Sequence, residues 1–171
     1  MTKLSQDPLS QLGQPFYLGM ISNLGILLWM VTASVTLFSS FHLKRGVSHP
    51  EGASFLRWVA VLSLMLMCDD LLMLHEQVFP QYLHVSEKMV YVFYLAYTSL
   101  FLLKFWRLIL SQANYKLLIL AFFFFGMSVI IDMEMFPGGI DIEDSFKILG
   151  LTTYTYYFVT LSSDWLTESL G

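Results

Sequence analysis

Hydrophobic residues fall along this chain in five long runs separated by short polar breaks. A helix needs ~20 mostly apolar residues to cross a hydrocarbon core of ~30 Å. The first run carries no formal charge from residue 8 to residue 43, and it predicts a helix over 16–43. The second predicts a helix over 55–79, interrupted by Asp69 and Asp70. Pro80 should end it, because proline removes a helical donor and disfavours helix in the residue before it. The third and fourth runs predict helices over 87–110 and 115–136, the latter stopped by Pro137-Gly138-Gly139. The fifth predicts a helix over 143–166. The intervening loops are short, with no linker, internal repeat or second unit, so residues 1–171 read as one integral-membrane helical domain. The expected fold class is all-α, a polytopic membrane bundle of five transmembrane helices.

Composition agrees with the pattern. The chain is 56% hydrophobic and 13% charged, against ~45–50% and ~25% in an ordinary soluble domain. That leaves too little polar surface to cover a water-exposed domain of this size. A disordered chain, a nucleic-acid binder and a soluble globular domain are excluded as function classes. The single cysteine, Cys68, excludes an internal disulfide framework and a Cys-rich metal site. The first fifteen residues contain Lys3, Asp7, Pro8 and Pro15 but no apolar core of a cleavable signal peptide. The first membrane helix is expected to serve as its own insertion signal.

Charge sets the orientation. Lys44, Arg45, Arg57, Lys104, Arg107 and Lys116 fall on one side of the five spans, and only Lys3, Lys88 and Lys147 on the other. The positive-inside rule then places the N-terminus outside and the C-terminus in the cytoplasm, and a bacterial inner membrane is the expected location. Residues 89–103 and 117–131 give only ~22 Å of helix between charges, so Lys104, Arg107 and Lys116 must snorkel to the inner interface. Trp58, Trp106 and Trp165 lie near that interface, as an aromatic belt requires. The net charge of −4 is unevenly divided. Six basic residues face three acids, Glu51, Asp164 and Glu168, on the cytoplasmic side, whereas three basic residues face ten acids on the outer half.

Part of that acid lies at membrane depth. Asp69 is twelve residues beyond Arg57, or ~18 Å along a helix. A carboxylate there costs ~2.5–3.5 kcal/mol on the insertion scale, and such residues face a bundle interior or a wet cavity and mark candidate functional sites. On a continuous helix Asp69 and Glu76 share a face, whereas Asp70 and His75 need partners on other helices. Glu87 opens the third span, with Tyr91 and Tyr94 continuing its face. Asp132 lies ~24 Å up the fourth helix from Lys116. It and Glu134 oppose the helix dipole instead of capping it. Asp141, Glu143 and Asp144 read most simply as N-terminal caps of the fifth helix. Lys147 either pairs with them at ordinary helical spacing or reaches inward to neutralise part of the cluster.

These residues point to more than one chemistry. Asp69, Asp70, Glu76, Glu87 and Asp132 form an all-oxygen set suited to protons or to a hard divalent cation. This favours a channel or transport component, working as a homo-oligomer or with a partner subunit, because five helices leave little room for a private pore. An alternative is a metal-dependent intramembrane enzyme acting on a lipid-like substrate. Its metal candidates are His75, Glu76, Asp132, Glu143 and Asp144, with Lys147 as charge partner. A second alternative is an accessory subunit whose buried acids set helix specificity. No Glu-x-x-His motif of a di-iron bundle, phosphate loop or selectivity-filter sequence is present. The pattern Asp69-Asp70-x4-His75-Glu76, then Asp132, then Glu143-Asp144-x2-Lys147-x2-Gly150, resembles that of small multi-pass membrane proteins of bacteria over roughly residues 55–151. The resemblance implies that the acidic set is one unit and implies no particular activity.

Overall fold

A computed structural model describes residues 13, 15, 17–43, 51–132 and 140–170, without the side chains of residues 140, 141 and 170. Lys3, Lys44, Arg45, Glu134 and the Pro137-Gly138-Gly139 break lie outside the described residues, as does the side chain of Asp141. Among the described residues there are six helices and no strand. They are α1 (Met20–His42), α2 (Gly52–Leu72), a π-helix (Leu74–Leu83), α3 (Glu87–Ser111), α4 (Tyr115–Ile130) and α5 (Ile140–Leu170). By length and composition α1 and α3 can cross a membrane, and α2 with the π-helix makes a third candidate if the bent pair is one span.

The second predicted helix is not continuous. Between α2 and the π-helix the axis bends by 74°. Met73 adopts the left-handed conformation, with φ 48° and ψ 48°, and its N–H closes α2 on the Asp69 carbonyl. Left-handed backbone costs a residue with a Cβ ~1–2 kcal/mol, so something must hold it. The Asp69 carboxylate does so by accepting the His75 backbone N–H at 2.9 Å. In a continuing α-helix that donor would bond the carbonyl four residues back, and a short acidic side chain is a good competitor for it. Pro80 therefore lies inside the π-helix and does not end the preceding span. A second left-handed residue, His84, closes the segment.

Helix α1 packs along both α2 and α5, and α4 packs along α5. Small residues allow these approaches. A Cβ on Gly25 would meet Leu151 at 3.3 Å, and one on Gly150 would meet the Phe125 ring at 2.8 Å. Helix α3 stands further off and reaches the bundle through large side chains. Phe101 and Phe105 meet Phe55 at ring distances of 5.2 and 5.3 Å. Tyr97 stacks near Trp58 and donates its hydroxyl to the Trp58 carbonyl at 3.0 Å. Trp165 is buried against Phe55 at 5.8 Å. Its ring completes the core beneath Phe158 and Leu161. Nearer the acidic end, Trp29 is held between Phe125 at 5.5 Å and Tyr154 at 5.4 Å. The helices are also apolar outward, with Leu27, Phe38, Leu95, Leu103 and Phe123 exposed.

Gly150 tests this packing. In Gly150→Ala the new methyl group meets two Phe125 ring atoms within 2.9 Å and the Ala121 carbonyl oxygen at 3.3 Å. Overpacking of this kind costs ~1–3 kcal/mol, so the melting temperature of the purified protein should fall. Gly126→Ala, whose Cβ meets nothing within 4 Å, should leave it unchanged.

Candidate functional site

Two adjacent carboxylates near the end of α2 point in different directions. Successive helical residues are turned by about 100°, so Asp69 faces the π-helix and α3 while Asp70 faces α1 and α5. Asp70 accepts the Trp29 indole Nε1–H at 3.1 Å through Oδ2 and the Lys147 Nζ at 2.8 Å through Oδ1. One carboxylate thus ties α1, α2 and α5 together. Lys147 reaches inward across the bundle, and Glu143 and Asp144 lie within its electrostatic reach.

Asp69 is 3% exposed. Its Oδ2 pairs with His75 Nδ1 at 2.7 Å while its Oδ1 holds the His75 backbone. The imidazole is therefore fixed at both its ring and its main chain. Its Nε2 points away from Asp69 and lies 3.8 Å from the exposed carboxylate of Glu76. A histidine whose Nδ1 is held by a carboxylate has a set ring orientation and a free Nε2 for proton exchange. On its other side the ring contacts Tyr91 at 5.4 Å. Tyr91 donates its hydroxyl to Asp132 at the end of α4. Contacts thus run from Asp69 through His75 and Tyr91 to Asp132, crossing α2, the π-helix, α3 and α4. Glu87 is within electrostatic reach of both His75 and Tyr91, and Glu143 of Asp132 and Glu76. Tyr94, one turn beyond Tyr91, is coupled to Asp69.

The acids predicted for cation or proton binding thus occupy one end of the bundle, in two kinds of setting. Asp69 and Asp132 are paired with His75 and Tyr91, and Asp70 is neutralised by Lys147. Glu76 and Glu87 are exposed. The metal candidates His75, Glu76, Asp132, Glu143 and Asp144 do not converge. Among the described residues no group of three or more His, Cys, Asp or Glu side chains could hold a metal ion. Asp69 and Glu76 were expected to share a face. The break at Met73 instead turns His75 onto Asp69.

A domain family matches residues 1–161. The chain belongs to the DUF8692 family. Its description is a domain of unknown function, so DUF8692 membership gives no activity. Neither the curated proteins nor the solved structures contain a match. In this DUF8692 chain the sequence reading missed Trp29 and the His75–Asp69 pair. Trp29 sits in an uncharged apolar run and gives no signal of its own. The pair could be found only by allowing a break before His75.

The Asp70–Lys147 pair gives a direct test. Lys147→Met should leave the Asp70 carboxylate with only the Trp29 indole as a partner. Breaking a fully buried pair costs ~3–5 kcal/mol. Because the Lys147 side chain is 31% exposed, a loss of about 2 kcal/mol is expected. The double variant Asp70→Asn/Lys147→Met should recover part of that loss in thermal unfolding, since it removes the unpaired charge.

Proposed function

We propose that this chain is an integral membrane protein that handles protons through its outer acidic cluster, as a channel or transport component. The reading takes five spans, an outer N-terminus and a cytoplasmic C-terminus, in a bacterial inner membrane. The large apolar side chains exposed around the helices support a lipid setting, because soluble monomers rarely expose extended apolar surface. Helix α4 gives only ~24 Å of α-helix from its 16 residues, so the reading needs its basic start to snorkel. Helix α3 contacts its neighbours mainly through long side chains and leaves Val92, Leu95 and Leu103 uncovered. That supports assembly with a second copy or a partner subunit.

The observation that carries the proposal is the contact series Asp69–His75–Tyr91–Asp132. Each member can donate or accept a proton, and each comes from a different helical segment. Pairing of the acids with histidine, tyrosine and lysine favours protons over a hard divalent cation, which needs several oxygens converging on one point. The interior offers a continuation. The hydroxyls of Tyr157, Ser39 and Ser162 are buried without a protein partner, and those of Ser63 and Tyr154 face each other. Buried polar groups of this kind are commonly bridged by water. From Trp29 and Lys147 they extend along α1, α2 and α5 towards the basic end.

Proton flux into proteoliposomes is the test, read by an internal pH-sensitive dye under an imposed potassium diffusion potential. The wild-type protein should acidify the lumen faster than empty liposomes. Asp69→Asn and Asp132→Asn should each reduce the rate tenfold or more, with His75→Ala behaving like Asp69→Asn. Wild-type rates in all three variants, or no flux by the wild-type protein, would sink the proposal.

A further inference from the structure

A polar pocket of about 390 Å³ opens at the basic end of the bundle, between the turn joining α3 to α4 and the last part of α5. Gln112 and Asn114 line it on the turn, and Thr160, Asp164 and Glu168 line it on α5. It has room for roughly ten waters at ~30 Å³ each. Asp164 is exposed, and among the described residues its carboxylate has no hydrogen-bond or ion-pair partner. The basic side chains described nearby are turned elsewhere. Arg107 lies over the Trp106 ring, and Lys104 over the rings of Trp58 and Phe105. Lys116, two residues beyond Asn114, is exposed and forms no ion pair with Asp164. Tyr157 is the lining residue furthest from the end of α5. It is seven residues before Asp164, about 10 Å along the same helix face. Tyr157 is 1% exposed, and its hydroxyl is buried without a hydrogen-bond partner. A buried hydroxyl left dry and unpaired is costly, and the pocket can supply a water to it. One turn further in, the Tyr154 hydroxyl faces Ser63.

We propose that this pocket is the second mouth of the proton path, with Asp164 exchanging protons with bulk water and the Tyr157 hydroxyl linking the pocket to the interior hydroxyls. The inference rests on the proton-handling reading and adds a titratable group at the end of the bundle opposite His75. The Tyr157 oxygen accepts a proton from one water as its own proton passes to the next. The Asp164 carboxylate takes up that proton and releases it to pocket water, so it returns to its ionised form and no other reactant is consumed. The role needs contact with water and freedom from a fixed partner. It does not depend on the net charge of this end, which also carries Glu168 on the pocket wall and His42, bonded to the Phe38 carbonyl. Lys44 and Arg45 follow α1 outside the described residues.

The test is proton flux by the full chain in proteoliposomes, with the melting temperature of each purified variant measured alongside. Asp164→Asn should lower the rate fivefold or more, and Asp164→Glu should keep at least half of it. Tyr157→Phe removes a hydroxyl that has no protein hydrogen bond to lose. It should lower the rate threefold or more at an unchanged melting temperature. Wild-type flux in either Asp164→Asn or Tyr157→Phe would overturn the inference and leave the proton-handling reading standing. So would equal losses in Asp164→Asn and Asp164→Glu, because a carboxylate would then not be what matters. A loss in Tyr157→Phe matched by a lower melting temperature would assign that residue to packing and overturn the inference too. No flux by the wild-type protein would overturn both readings.

Discussion

The arrangement of the acidic end depends on the Asp69 carboxylate taking the backbone N–H of His75 away from the helix. That single hydrogen bond has three consequences. It ends α2 at Met73, which then tolerates a left-handed backbone. It turns the next ten residues aside by 74° as a π-helix, so Phe79 and Leu83 line an apolar groove. It also brings the imidazole of His75 onto the second oxygen of the same carboxylate. One side chain therefore sets the bend, the groove and the orientation of the histidine paired with it. π-helical backbone is rare and is found most often at functional positions. Here its cause is a named competitor for a helical donor.

Asp70, its neighbour, does different work because a helix turns it to another face. A carboxylate taken out of water is costly unless it is paired and fully hydrogen-bonded. Asp70 meets that demand with one neutral donor, Trp29, and one cation, Lys147. Both donors come from helices remote in sequence, so the pair fixes the mutual register of α1, α2 and α5. The Trp29 ring that donates to it is stacked on Phe125 and meets Tyr154 edge-on. Further along the same interfaces the Thr32 hydroxyl bonds that of Thr155 at 2.9 Å. The α1–α2–α5 unit is thus held by close small-residue contacts and by polar pairs at two levels. Helix α3 lacks the close small-residue contacts and depends on the rings of Phe101 and Phe105 and on the hydroxyls of Tyr97 and Tyr91.

Much of this was legible in the sequence, and the failures are specific. Apolar runs show where helices form, since a helix interior excludes Pro and Gly clusters, and the predicted starts of α3 and α4 agree with those observed. Acid within the apolar runs is conspicuous because so little other charge is present. Lys147 was left between two readings, and the fold selects the inward one. The pairing of Asp69 with His75 was not legible, because it needs a break in a run whose hydropathy is continuous across Leu71, Leu72, Met73 and Leu74. Hydropathy registers the apolar side chains and is blind to a side chain competing for a backbone donor. Pro80 draws attention as a breaker, yet the α-helix ends seven residues before the predicted stop, at Leu72. The burial of Trp165 was invisible for a related reason: an aromatic near a helix end fits a belt or a core equally well until its neighbours are known.

An architectural role explains some of the polar residues at the acidic end but not all of them. Asp69 as a cap and Asp70 as a three-helix tie would suffice to shape the bundle, and apolar replacements could do the second task without the cost of desolvation. The remaining acids are harder to account for in that way. Glu87 sits beside Tyr91, and Glu143 lies in the field of Asp132, Asp144 and Glu76. Like charges so gathered repel one another and oppose folding, while the nearby cation Lys147 is already committed to Asp70. A protein shaped only for stability would disperse them. Places where a local rule is broken without a structural return are where function is expected. Here the broken rule concerns unbalanced negative charge beside an oriented histidine and an apolar groove. A proton exchanging through His75 would relieve that imbalance.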